Sequence, residues 1–277
     1  MSQRRYELTD FEWSIIAPLL PNKPRGVPRA NDRRVLNGIF WRLRTGSPWA
    51  DIPERYGPAT TCYNRFVRWR KRGVWDRIFD AVSKAYKGDT QSVDASSIRV
   101  HQHGANGKAG KKTASAAGLA DLRARCMGRS RGGLTTKIHA LVDADGLPVR
   151  LKLTPGQDHD GVSAHDMLDG IKAGRVLLAD AAYDLDRLRA AIAEQGGWAC
   201  VKPIRTRKTR PVFSPFLYKG RNVVERFFNK LKHFRAIATR YEKHDDNFLA
   251  LVKLASARIW MRFMSHWVIC DCFPRPA

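Results

Sequence analysis

Acidic residues are scarce in this chain: 26 Asp and Glu stand against 50 Lys and Arg, a formal net charge of +24 over 277 residues. A surface so charged repels itself unless it meets a polyanion, and nucleic acid is the usual one. A long unbroken apolar run is also missing. The most apolar stretch, FLALVKLASARIWMRFMSHWVIC, is interrupted by Lys253, Arg258 and Arg262, which reads as a packed helix and excludes a membrane span. The N-terminal MSQRRYELTDFEW lacks the apolar core of a secretory signal, so a cytoplasmic protein is expected. Five cysteines are present without any C-x-x-C pair, and Cys270, Cys272 and His266 are spaced wrongly for zinc. Reduced thiols are the expectation. Hydrophobic residues nevertheless make up 43% of the chain, enough for a real core and against wholesale disorder. The length allows one large domain, or a catalytic domain with a small companion.

Residues 1–88 read as helical. TDFE at 9–12 has the pattern of a capping box, in which Thr9 accepts from a first-turn N–H and Glu12 reaches back. Asn31 is placed to cap a helix carrying Leu36, Ile39, Phe40 and Leu43 on one face. Between 59 and 72 five cations, among them Arg65, Arg68 and Lys71, occur with no acid. A basic helix after another helix points to a helix-turn-helix-like DNA reader, although the connector before it is longer than that motif's turn.

From about residue 89 strands alternate with helices. TQSVDASSI is a strand carrying Asp94, and GANGKAGKKTASAAG reads as part of a mobile basic loop over 103–130. LTTKIHALVDADGLPVRLKLT is a hairpin turned by DG, with Thr136, Ile138, Ala140 and Val142 on one face. RVLLADAAYD is a strand buried on both faces, with Asp180 at its end. A helix, the short strand WACVKPI, and a long helix from 222 to about 243 complete the order.

Three acids stand out against the basic background. On the last of these helices Val224, Phe227, Leu231, Phe234 and Ala238 form an apolar stripe, while Arg221, Glu225, Asn229 and Lys232 fall in a narrow arc opposite. Alone, Glu225 would be an intrahelical ion pair worth a few tenths of a kcal/mol. Asp94 and Asp180, however, are carboxylates in or at the end of strands, costly unless compensated. A divalent ion held by all three would account for them: Mg²⁺ takes oxygen ligands together with substrate phosphate, and ion pairs of this kind support phosphoryl transfer. The run 202–221 adds seven cations, including Arg207 and Lys208, and no acid, a natural wall for a DNA groove. His139 is expected on a sheet face, Asp158 to Asp160 in a helix-entry loop, and Trp198 buried, with stacking on a base as the alternative.

Tyr218-x2-Arg221-x3-Glu225-x6-Lys232 resembles the Y-R-E-K signature of bacterial DDE transposases of insertion-sequence families four and five. DAAYD at 180–184 and SVDASSI around Asp94 are similar to that group's two aspartate motifs, and the N-terminal region to that of family five. The resemblance implies an α/β, ribonuclease H-like catalytic domain over 89–277 behind a helical DNA-binding domain over 1–88. It implies the catalytic and metal-binding acids Asp94, Asp180 and Glu225 with Mg²⁺ or Mn²⁺, two ions in the full site. Tyr218, Arg221 and Lys232, with Asn229, Arg65, Arg68, Lys71, Arg207 and Lys208 read from charge, are the expected DNA contacts. The implied partners are double-stranded DNA (element ends and target) and a second copy of the chain, with no membrane and no small-molecule substrate. Only 44 residues separate Asp180 from Glu225, which leaves no room for the β-rich insertion of certain relatives. A DNA binder that no longer cuts, and a nuclease of the same fold, are the alternatives.

Overall fold

The computed structural model describes residues 6–21, 31–84, 88–105, 116–163, 165–168 and 174–272. By internal packing the chain divides into a helical unit (Met1–Ala85, Leu231–Ala238 and Asp246–Ala277) and a sheet unit (Tyr86–Lys230 and Thr239–Asp245). The C-terminal helix, read from sequence as part of the catalytic domain, instead packs in the helical unit.

In the helical unit, α1 (Asp10–Ile16) begins with the capping box as expected: Thr9 Oγ1 accepts from the Glu12 N–H, and Glu12 Oε2 from the Thr9 N–H, both at 2.9 Å. Glu12 is buried, and Arg258 of the C-terminal helix (Asp245–Cys272) meets it at 3.3 Å. The same guanidinium donates to the carbonyl oxygens of Tyr6 and Glu7 at 2.6 Å. This ion pair is one link between the last helix and the N-terminal segment. Helix α2 (Asp32–Thr45) is capped by Asn31 and buries Leu36, Ile39, Phe40 and Leu43 completely. It is followed after residues 46–58 by α3 (Ala59–Lys71) and then α4 (Val74–Ser83). The tight turn follows the basic helix α3 rather than preceding it: Gly73 sits at φ +63 between α3 and α4, where a Cβ would be strained. Trp69 of α3 and Trp75 of α4 meet edge to face at 5.3 Å. No helix of the described residues is long and apolar enough to cross a membrane.

The sheet unit carries β1 (Thr90–Val100), β2 (Gly128–Ser130), β3 (Gly133–Val142), β4 (Pro148–Pro155), β5 (Val176–Ala179), β6 (Trp198–Val201) and β7 (Thr239–Arg240). They form one mixed sheet in the order β2-β3-β1-β5-β6, with β4 also on β3 and β7 also on β1. The β1–β3 and β3–β4 pairs are antiparallel, while β5 and β6 continue parallel to β1. This is the strand order of a ribonuclease H-like α/β domain, with β1 central. One face is filled by Val93, Leu141, Leu177, Ala179 and Val201 against Leu188 and Ile192 of the helix Asp186–Glu194.

Three expectations need correction. The β3 strand is buried on both faces, Leu141 and His139 as well as Ile138 and Ala140, because it lies inside the sheet and is not a one-sided hairpin arm. The basic segment over 103–130 holds regular structure among its described residues. Residues 106–115 lie outside the described set, but Ala116–Ala124 is helical and Gly128–Ser130 is β2. Fully buried Arg240 holds that segment down, donating to the carbonyl oxygens of Arg125 and Cys126 and to Thr136 Oγ1. Finally, the helix from 222 stops at Lys232, and β7 follows after the short turn Arg235–Ala238.

Candidate active site

Two parallel strands set the first pair of acids. β1 and β5 are in register from Thr90–Val176 to Ser92–Leu178. Two residues further along each come Asp94 and Asp180. Neighbouring strands lie about 4.8 Å apart, so the two carboxylates leave adjacent positions just past the stretch where β1 and β5 pair. Asp180 ends its strand by capping the turn Ala181–Tyr183, its Oδ1 accepting from the Ala182 N–H at 2.9 Å.

The third acid comes from the helix Asn222–Lys232, which buries Val223, Val224, Phe227 and Phe228 and leaves Glu225, Arg226, Asn229 and Lys230 exposed. Its start is fixed from two sides. The DG turn of the β3–β4 hairpin presses on it so closely that a Cβ on Gly146 (φ +76) would lie 2.8 Å from the Val223 carbonyl oxygen. A Cβ on Gly220 would meet Leu178 of β5 at 3.3 Å.

Arg221 then joins the acids. One end of its guanidinium donates to Asp94 Oδ2 at 2.7 Å and the other to Glu225 Oε1 at 2.6 Å. Asp94 is little exposed (19%), whereas the Glu225 side chain is half open (52%). Burial raises the Asp94 pKa above the ordinary carboxylate range, the Ala95 N–H and Arg221 work against that rise, and the charge of Asp180 adds to it. Burial alone would lower the Arg221 pKa, but Asp94, Tyr218 and Glu225 together outweigh it and the guanidinium stays firmly protonated. Beneath the acids Tyr183 is fully buried. Burial first, then Asp94, Asp160 and Asp180, push its pKa well up, so its hydroxyl stays neutral.

Among the described residues no three His, Cys, Asp or Glu side chains are gathered at metal-holding spacing. Asp94 and Asp180 are neighbours, and Asp94 and Glu225 lie on either side of one guanidinium. Neighbouring carboxylates repel one another unless a cation stands between them, and here Arg221 stands between Asp94 and Glu225. The donor set is nonetheless three carboxylates, hard oxygen ligands of the kind Mg²⁺ and Mn²⁺ take, and the guanidinium between two of them stands where a cation belongs.

The expected DNA contacts divide by environment. Tyr218 lies under the Arg221 guanidinium at 5.7 Å. Asn229, Lys232, Arg68, Lys71 and Lys208 are exposed. Arg65 is not available: it is buried, paired with Asp32 and laid over the Trp69 ring at 5.2 Å. Arg207 is taken as well, held by Asp184 at 2.9 Å and Asp186 at 2.6 Å. Asp184, which sequence reading passed over, is the centre of that clamp. Burial would raise its pKa, but Arg207, the Ile204 N–H and Arg189 together hold it below the usual range. Only its place in DAAYD, one residue after the buried Tyr183, hinted at it. His139 is a buried sheet residue on Thr154 Oγ1 at 2.7 Å, and Asp160 opens the turn Asp160–Ser163 with its carboxylate on Lys137 at 2.8 Å. Trp198 is half-buried at the start of β6.

The sheet and its acids define a ribonuclease H-like domain with carboxylates at the edge of its central strands. Residues 86–260 match the family model described as "Transposase DDE domain", and residues 8–79 that described as "Putative transposase of IS4/5 family". The chain belongs to the DDE transposase family, as an insertion-sequence transposase. It is 48% identical over 130 residues to "Putative transposase for insertion sequence element IS6501" of Brucella ovis, covering 47% of this chain and 100% of that one. It is 32% identical to "Putative transposase for insertion sequence element IS402" of Burkholderia cepacia, over 47% of this chain and 64% of that one. The structure titled "Crystal structure of a pre-cleavage Mos1 transpososome" covers 89% of this chain and is covered to 82%, at 11% identity and a TM-score of 0.28, a likeness too weak to weigh on either fold or function.

Proposed function

We propose that this transposase binds the terminal repeats of its own element and cuts and joins DNA there, using Asp94, Asp180 and Glu225 to hold Mg²⁺ or Mn²⁺, two ions in the full site. Bound there, the metal supplies Lewis-acid polarisation of the phosphate and a water or hydroxyl nucleophile at neutral pH. The observation that supports this most is the Arg221 bridge, which joins an acid of the central strand to the acid of the helix beside Asp180.

The chain's own residues do the rest. Arg221 balances two carboxylates in the free protein and is placed to turn its fork to a phosphate once they have another cation. Tyr218 supports the guanidinium from below. Exposed Lys208 and Asn229 contact backbone, as do Arg68, Lys71 and Lys232 of the helical unit, and set position rather than sequence. In the first step water adds to a phosphorus and a P–O bond breaks, leaving a 3′-hydroxyl. In the second, that hydroxyl oxygen bonds to a target phosphorus and displaces a target hydroxyl. Neither step needs a covalent link to protein, and two element ends call for two copies of the chain.

A nicking and joining assay on labelled element ends with Mg²⁺ tests this. Cleavage should vanish in Asp94→Asn, Asp180→Asn and Glu225→Gln while end binding persists. Cutting that survives all three substitutions refutes the assignment, cutting without joining indicates a nuclease, and binding without cutting by the unaltered chain indicates an inactive binder.

A further inference from the structure

Among the described residues Phe216 is the most exposed aromatic, at 82%, and Val212 beside it is 78% exposed. Both lie in the segment between β6 and the Glu225 helix. The segment is not loosely held there. Cys200 Sγ of β6 reaches the Ser214 carbonyl at 3.5 Å, and Ser214 caps the turn Pro215–Tyr218 by accepting from the Leu217 N–H. With Pro215 fixing the first position of that turn, Phe216 projects from a rigid base. The same turn leads to the acids by ring contacts: Phe213 meets Tyr218 at 5.3 Å, and Tyr218 meets Arg221, which holds Asp94 and Glu225. Exposed Arg205, Lys208, Arg210 and Lys219 flank the apolar side chains.

We propose that Phe216 is a stacking wedge that takes an unstacked base of the DNA end beside the site of cutting. The inference rests on the DNA reading above and adds what the DNA must do: part a base pair next to the scissile phosphate. An aromatic ring accepts any base by its π-face, and apolar side chains that enter a duplex unstack it locally. The surrounding charge selects this occupant. A second copy of the chain would bring its own basic wall against this one, whereas a DNA strand brings phosphates to the cations and bases to the ring.

The test compares Phe216→Ala and Phe216→Trp with the unaltered chain on two element-end duplexes, one fully paired and one with unpaired bases at the cleavage position. Binding is read without divalent metal, and nicking with it. The alanine variant should lose about five- to a hundred-fold in affinity for the unpaired duplex, and the tryptophan variant should recover it with its indole fluorescence quenched by the stacked base. Because the ring touches solvent, the melting temperature should not move. If the unaltered chain neither binds nor nicks element ends, the DNA reading falls and the wedge with it. If it does both and Phe216→Ala binds the unpaired duplex equally well, the wedge alone is wrong. Loss of self-association, or of binding to anionic lipid vesicles, in Phe216→Ala with DNA binding intact would assign the patch to another occupant and overturn the proposal.

Discussion

Two arginine–carboxylate arrangements in this molecule use the same chemistry to opposite ends. In the helical unit Glu12 and Arg258 are sealed, with side-chain exposures of 1% and 3%, and the guanidinium also satisfies two backbone carbonyls. In the sheet unit Arg221 holds Asp94 and Glu225, but the Glu225 side chain is 52% open. A sealed pair has nowhere to go, because separating it strands a charge without water. An open pair can exchange its partner for a phosphate or a metal at small cost. Exposure of one carboxylate, rather than the presence of an ion pair, separates the proposed site from a brace.

That distinction can be broken most directly at the acids. Asp94→Asn, Asp180→Asn or Glu225→Gln should each lower metal-dependent nicking about a thousandfold or more, a loss of several kcal/mol in the transition state. Thermal melting should stay within a few degrees of the unaltered chain. A variant that melts far earlier would place that acid with the braces. Conversely, Glu12→Gln or Arg258→Met should cost about 3–5 kcal/mol of stability in a denaturant titration, with residual activity per folded molecule unchanged. If either is tolerated within about 1 kcal/mol, the sealed pair is not the brace described here.

The β3–β4 hairpin supplies a smaller, pH-dependent test, because it buries two groups that titrate against each other. Burial lowers the His139 pKa to about 4, so its contribution is present above the ordinary value of 6.5 and is lost as pH falls toward 4. Burial raises the Asp143 pKa to about 6, against the Leu147 and Asp145 N–H groups, so its contribution is present below 3.8 and is lost as pH rises toward 6. Each amounts to about 3 kcal/mol at the limit, and the two slopes oppose one another between roughly pH 4 and 6. Urea unfolding should therefore show Asp143→Asn losing stability on acidification more steeply than the unaltered chain, and His139→Gln less steeply. Equal slopes in all three would show that neither group is enclosed as described.

The smallest expected effect separates open cations from closed ones. Lys208→Ala or Lys232→Ala should weaken DNA binding only a few-fold and reduce its salt slope by about 1 each. Arg65→Ala, which loses a partner buried with it, should leave the slope alone and lower stability instead. A reduced slope in Arg65→Ala would return that residue to the DNA face.

Much of this was legible in the chain itself. The capping box at Thr9 and Glu12, the Asn31 cap, the strand holding Asp94 and the apolar run ending at Asp180 are local features. Their backbone geometry follows from residues within a few positions, and they appear where the sequence places them. The long helix from 222 was overrun because its apolar spacing continues to Phe234 and Ala238. The helix itself ends at Lys232, and the chain goes on through the turn Arg235–Ala238 to pair Thr239 and Arg240 with Arg99 and Val100. Arg65 and Arg207 read as free cations because charge in a sequence does not show which acid will close over it.

The sequence alone determined the scarcity of acids, the three that stand out, and the order of strands and helices that carries them, since these depend on composition and short-range periodicity. The tertiary structure decided which charges are sealed, that one arginine stands between Asp94 and Glu225, and that Phe216 is left facing water. Those outcomes depend on which distant segments meet, because the cost of burying a charge or a ring is set by its neighbours in space.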